Sequence, residues 1–143
     1  MNLFLDTNVL VAACLEKHEH HTRAIPLLQS IHAKKAQGFV SAHSVLELYA
    51  ILTRLPQSPR ISAEQASKLI EDLLSHFSVV ALSSKEYAEL IRKLGVSGVS
   101  GGKSYDRLHL ACAEKCAADR IYTFNLRHFS ELAGHIAHKL VTP

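Results

Sequence analysis

Residues 2–15 read Asn-Leu-Phe-Leu-Asp-Thr-Asn-Val-Leu-Val-Ala-Ala-Cys-Leu: a short apolar run, a stop at Asp6, then a second apolar stretch. Leu3, Phe4 and Leu5 have no polar residue alternating between them, which predicts a short buried strand over 2–5. A strand buried on both faces belongs to a parallel sheet covered by helices. Val9–Leu15 predicts a short helix, so the chain opens as strand, turn and helix, with an acid at the strand's carboxyl end. In open parallel sheets, ligand sites form at that end.

The same alternation continues outward. After a polar loop at 17–21, a helix is expected over His21–Gln37, with Pro26 near its first turn and Gly38 closing it. Gly38–Val40 gives a second strand. Ser44 then opens a helix carrying Val45, Leu48, Tyr49 and Leu52, which ends before Pro56. Ser62 with Gln65, and Ser83 with Glu86, have capping-box spacing and start helices reaching about Ser75 and Leu94. Between them, Phe77–Leu82 is the most continuous apolar strand. Residues 95–102 hold four glycines and read as a flexible linker. Ser104 is expected to cap a helix to Cys116, followed by a strand at 121–123, a short helix at 126–132 and an edge strand at 139–141. Strands separated by helices imply crossover connections and a parallel sheet with helices on both faces, an α/β fold.

Bulk properties bound the function. With 143 residues, 48% hydrophobic and 20% charged, the chain has the size and composition of one globular domain, over 1–143, and disorder is excluded. A formal net charge of +3 and ten histidines suit a nucleic-acid partner without specifying one. Cys14, Cys112 and Cys116 form no CxxC, and Cys112 and Cys116, four apart on one helix face, read as small buried residues, which suits a reducing cytoplasm. The apolar start lacks a basic lead and carries Asp6, so no secretory signal is expected, and no apolar run approaches a membrane span.

Three acids occupy comparable places. Asp6 follows the first strand, Glu47 lies one turn into the helix after the second strand, and Asp106 sits in the first turn of its helix. In a parallel sheet these positions face one edge, so a convergent site is geometrically reasonable. Close carboxylates repel, and Mg²⁺ or Mn²⁺ removes the conflict because hard cations prefer oxygen ligands. A cation-bound water then serves as a nucleophile near neutral pH. Taken singly, each acid is more readily read as a helix-end residue complementing the dipole, and Ser44 with Glu47 as an ordinary capping box.

Resemblance goes further than spacing. Leu5-Asp6-Thr7-Asn8-Val9-Leu10, Ser44-Val45-Leu46-Glu47-Leu48, Tyr105-Asp106-Arg107-Leu108-His109-Leu110-Ala111 and Tyr122-Thr123-Phe124-Asn125-Leu126-Arg127-His128-Phe129 resemble the PIN domain, in that family's order. The resemblance implies a three-layer α/β/α sandwich and RNA cleavage dependent on Mg²⁺ or Mn²⁺. It places Asp6, Glu47 and Asp106 as metal-holding acids. Asn125 falls where many members carry a fourth acid, which implies one tightly held ion and a second recruited by the RNA phosphate. Thr7, Asn8 and Thr123 would support Asp6. By position alone, Lys103 in the loop beside Asp106 and Arg127 two residues beyond Asn125 are candidates for RNA contacts, with plain solvated charges as the alternative. Short chains of this family further imply a VapC-like toxin, a homodimer and an antitoxin protein that covers the acids.

Other signals point elsewhere and are weaker. Residues 98–104 resemble a phosphate-binding loop, but Ser97 stands where the first glycine is required, and a helix rather than a strand precedes. His18, His20 and His21 lack an established zinc spacing. His43, His109, His128, His135 and His138 are scattered along the chain. Arg54, Arg60 and Arg107 are further candidates for phosphate contacts. A phosphatase D-x-D pattern would need Asp at position 8, which is Asn8. The rival reading is a non-catalytic RNA-binding module, whose binding would survive removal of metal.

Overall fold

In the computed structural model, which describes residues Met1–Pro143, successive side chains of the first strand, β1 (Asn2–Leu5), enter two separate cores. Leu3 and Leu5 pack with Val9, Leu10, Leu28, Ile31, Leu48, Leu52 and Ile70 on one face of the sheet. Phe4 packs with Leu90, Leu108, Leu110, Phe129 and Ile136 on the other. The period of two along a strand thus builds both cores from three consecutive residues, each side chain worth about 1.5–3 kcal/mol on burial.

The first core is completed by α1 (Thr7–Cys14), α2 (His21–His32), α3 (Ala42–Arg54) and α4 (Ala63–Leu74). The second is completed by α5 (Ser84–Ser97), α6 (Lys103–Lys115), α7 (Leu126–Leu132) and a 3-10 turn at Gly134–Lys139. Between the layers lie β1, β2 (Gln37–Ser41), β3 (Phe77–Val80), β4 (Arg120–Tyr122) and β5 (Leu140–Val141). Their order is β3-β2-β1-β4-β5 and every pair is parallel. The expected α/β/α sandwich is therefore present. No helix is long and apolar enough to cross a membrane.

Several boundaries differ from expectation, each for a local reason. Helix α2 ends at His32 rather than Gln37, because Lys34 turns into the left-handed region at φ 56°. Pro26 lies in the second turn of α2, where it forfeits one backbone bond. Gly38 closes no helix; it sits inside β2, where an added Cβ would lie 2.8 Å from Ile31 and Phe77. Ser41, not Ser44, caps α3: its side chain accepts from Ser44 N, and Ser44 is buried inside the first turn. The apolar run at 77–82 stops as a strand at Val80 and forms a sheet edge, leaving Val79 46% exposed. Helix α5 continues through Gly95 to Ser97, so the linker shrinks to a turn opened by Gly98 at φ 68°. Ser104 caps nothing, since α6 begins at Lys103 behind Gly102. The capping boxes at Ser62–Gln65 and Ser83–Glu86 are both formed.

Candidate metal centre

Chain direction across the sheet reverses at β1, which has β2 on one side and β4 on the other. That reversal opens a crevice at the strands' carboxyl ends. Asp6 stands in it. Its backbone N–H donates to Tyr122 O at 3.0 Å, extending the β1–β4 pairing by one residue. It then caps α1 with extended φ −71° and ψ 157°. Oδ1 accepts from Thr7 N at 2.7 Å, and Oδ2 accepts from the Thr123 hydroxyl at 2.9 Å. Thr123 Oγ1 also accepts from Asn125 N at 3.0 Å and, more weakly, from Asn8 Nδ2 at 3.5 Å. Asn8 Oδ1 accepts from Phe124 N at 3.2 Å. The turns after β1 and β4 are thus buttoned together around one carboxylate.

Glu47 reaches the crevice from the second turn of α3 and Asp106 from the first turn of α6. With Asp6, Thr7, Asn8, His109 and Asn125 they line a cavity of about 240 Å³. Burial pushes the Asp6 carboxyl up to about 7, and the charges of Asp106 and Glu47 add to the rise. Hydrogen bonds from Thr123 and Thr7 pull against it. Asp106 is also raised, first by burial and then by Glu47, while His128 and Lys103 draw it down. Burial, reinforced by the neighbouring acids, disfavours the charged form of both carboxyls. An oxygen-rich cavity lined by three acids that repel one another fits a hard divalent cation.

The three acids share the cavity without closing into a tight trio. The compact group is instead His43, Glu47 and His109, one donor atom of each lying within 4.8 Å of the others. Glu47 Oε2 is drawn to His43 Nε2 at 2.8 Å. His109, 2% exposed, presents Nε2 to Asp6 Oδ1 at 3.8 Å, and burial holds its imidazole down at about 4. Both histidines looked scattered in the sequence. His43 is four residues before Glu47 and His109 three after Asp106, spacings that put each pair on one helix face. Reading those offsets would have found them.

Other candidates lie outside the cavity. Arg127 has a side chain 89% exposed and 4.0 Å from Glu131, and Lys103 Nζ is 3.5 Å from the same carboxylate. Arg107 points into a groove between α5 and α6, where its Nη1 is buried without a partner. The histidines before α2 do structural work: His18 Nδ1 accepts from His20 N at 3.0 Å, His20 stacks on Phe124 at 4.4 Å, and His21 Nδ1 meets Ala12 O at 2.9 Å.

The chain as a whole is similar to known proteins. The sequence profile of the PIN domain matches residues 3–135. The chain is 33% identical over 123 residues to Ribonuclease VapC40 of Mycobacterium tuberculosis, covering 85% of each. It is 30% identical over 113 residues to Ribonuclease VapC27 of the same organism, covering 78% of this chain and 77% of that one. The crystal structure of VapBC2 from Rickettsia felis, bound to a DNA fragment from their promoter, aligns over 100% of this chain and 98% of that one. Its TM-score of 0.64 at 23% identity shows a shared fold. On the length of the profile match and the identity to its relatives, the chain belongs to the PIN domain family.

Proposed function

We propose that this chain is a metal-dependent endoribonuclease that hydrolyses RNA phosphodiester bonds as the toxin of a toxin–antitoxin pair. One observation carries the reading: Asp6, Glu47 and Asp106, from three separate elements, line one cavity where the order of the sheet reverses. The names of the relatives VapC40 and VapC27 support ribonuclease activity in particular.

Asp6, Glu47 and Asp106 would hold Mg²⁺ or Mn²⁺, which supplies an activated water and neutralises charge on the scissile phosphate. Thr7 and Thr123 fix the rotamer of Asp6, and Asn8 ties the two turns together. Asn125 offers a neutral amide in place of a fourth acid, so one ion binds tightly and a second arrives with the RNA phosphate. Lys103 and Arg127, exposed on neighbouring helices, attract the RNA backbone. Three free cysteines suit action in the cytoplasm. Tyr87, Ile91 and Val96, left exposed on α5, offer apolar area for a second copy of the chain. The antitoxin is a protein segment that covers the acids and excludes RNA.

The test is cleavage of RNA by the purified chain with Mg²⁺ or Mn²⁺. Cleavage is expected to vanish in EDTA and in Asp6→Asn and Asp106→Asn. Equal cleavage by those variants, or cleavage without metal, would overturn the proposal.

A further inference from the structure

Beside the acids lies a second set of donors with different chemistry. Ser41 Oγ is fully buried; it accepts from Ser44 N and donates to Ser44 Oγ, both at 3.0 Å. Its only proton is spent there. The 2.9 Å contact between Ser41 Oγ and His109 Nδ1 therefore requires the imidazole to donate. His109 then carries its proton on Nδ1 and turns the lone pair of Nε2 toward the cavity, facing Asp6 Oδ1 at 3.8 Å. Once Asp6 is ionised, a buried lone pair facing its carboxylate oxygen has no complement unless a cation joins them. An Nδ1–H held by an oxygen is also how metal-ligating histidines are fixed in tautomer and orientation.

His43 completes the set. Its ring stacks on Tyr105 at 4.7 Å, stands 5.7 Å from the His109 ring, and meets Glu47 Oε2 through Nε2 at 2.8 Å. Two imidazoles and a carboxylate thus converge within 4.8 Å. Mixed nitrogen and oxygen donors favour first-row transition ions of the zinc and cobalt kind, whereas Mg²⁺ favours oxygen alone.

We propose that His43, Glu47 and His109, with Asp6 alongside, form a second cation site that selects such a transition ion over Mg²⁺. The inference deepens the nuclease reading and rests on it only for the neighbouring Mg²⁺ site. Glu47 belongs to both sites, so an ion seated on the imidazoles withdraws Glu47 from the acids. A zinc-class ion therefore competes with Mg²⁺-dependent cleavage.

The experiment titrates Co²⁺ into the whole chain, reading its visible absorption and the heat of binding, with Mg²⁺ titrated in parallel. Co²⁺ is expected to bind at least about tenfold more tightly than Mg²⁺. His43→Ala should weaken Co²⁺ about 10- to 100-fold without weakening Mg²⁺, because it releases Glu47 toward the acids. His109→Asn, whose amide still donates toward Ser41, is the second variant, and metal-free melting curves verify that both fold. Co²⁺ affinity untouched by both variants, or Co²⁺ and Mg²⁺ affinities falling by one common factor, overturns the site. A wild-type chain that shows no preference for Co²⁺ over Mg²⁺ yet cleaves RNA with Mg²⁺ overturns the site alone. Histidine-dependent Co²⁺ binding in a chain that cleaves no RNA supports the site and overturns the nuclease reading.

Discussion

Asp6→Asn should make the metal-free protein more stable at pH 8 while removing its activity. The carboxyl of Asp6 is pushed from near 3.9 to about 7 by burial. A folded-state value above the unfolded one means that the folded chain binds the extra proton. Stability from this group is complete below pH 4 and is lost as pH rises through 7. About three pK units at about 1.36 kcal/mol each set an upper bound of about 4 kcal/mol. In the variant, Oδ1 of the amide still accepts from Thr7 N, but the Thr123 hydroxyl must turn to accept from the new NH₂, which costs about 1 kcal/mol. The net gain at pH 8 is then about 2–3 kcal/mol, or about 5–10 °C in melting temperature for a chain this long. At pH 4 the sign reverses, because only the rearranged bond remains. His109, held down at about 4, contributes in the opposite sense: its share of stability is present above 6.5 and lost as pH falls. The difference between variant and wild type isolates Asp6, and melting by circular dichroism in EDTA from pH 4 to 8 measures it. A difference that does not change with pH would refute the reasoning.

Three further outcomes follow from the same geometry. Mg²⁺ at about 100 times its dissociation constant should stabilise the wild type by about 2.7 kcal/mol, and differential scanning fluorimetry should find no such shift in Asp6→Asn or Asp106→Asn. Gly38→Ala places a methyl 2.8 Å from Ile31 and Phe77, so urea unfolding should report a loss of about 1–3 kcal/mol with cleavage per folded molecule unchanged. Lys103→Ala and Arg127→Ala should each weaken RNA binding and lower the slope of log affinity against log salt by about 1; unchanged slopes would remove both from the RNA path.

Local chemistry was legible in the sequence wherever a few neighbouring residues decide the outcome. The two capping boxes, the opening strand and the short helix at Leu126–Leu132 need only their own residues. Boundaries failed where tertiary packing decides. Gly38 ends no helix because its missing Cβ is what lets Ile31 and Phe77 close over β2. Ser41 displaces Ser44 as the cap because the strand runs straight into the helix, and Ser44 is then buried against Thr7 at 2.8 Å. The apolar run through Val79 says nothing about sheet order, and β3 lies at an edge. The acids could be gathered from topology, since each follows a strand or opens a helix on one side of the sheet. The imidazoles could not be gathered that way, because the aim of His109 at Asp6 depends on how α6 rotates over the crevice.

Calorimetric titration of Mg²⁺ into the wild type, Asp6→Asn and Asp106→Asn tests most directly whether acids from opposite ends of the chain share one cation. Binding is predicted in the wild type and its loss in either variant, although their side chains belong to different elements. Mg²⁺ binding of equal strength in all three would contradict the shared site and the chemistry built on it.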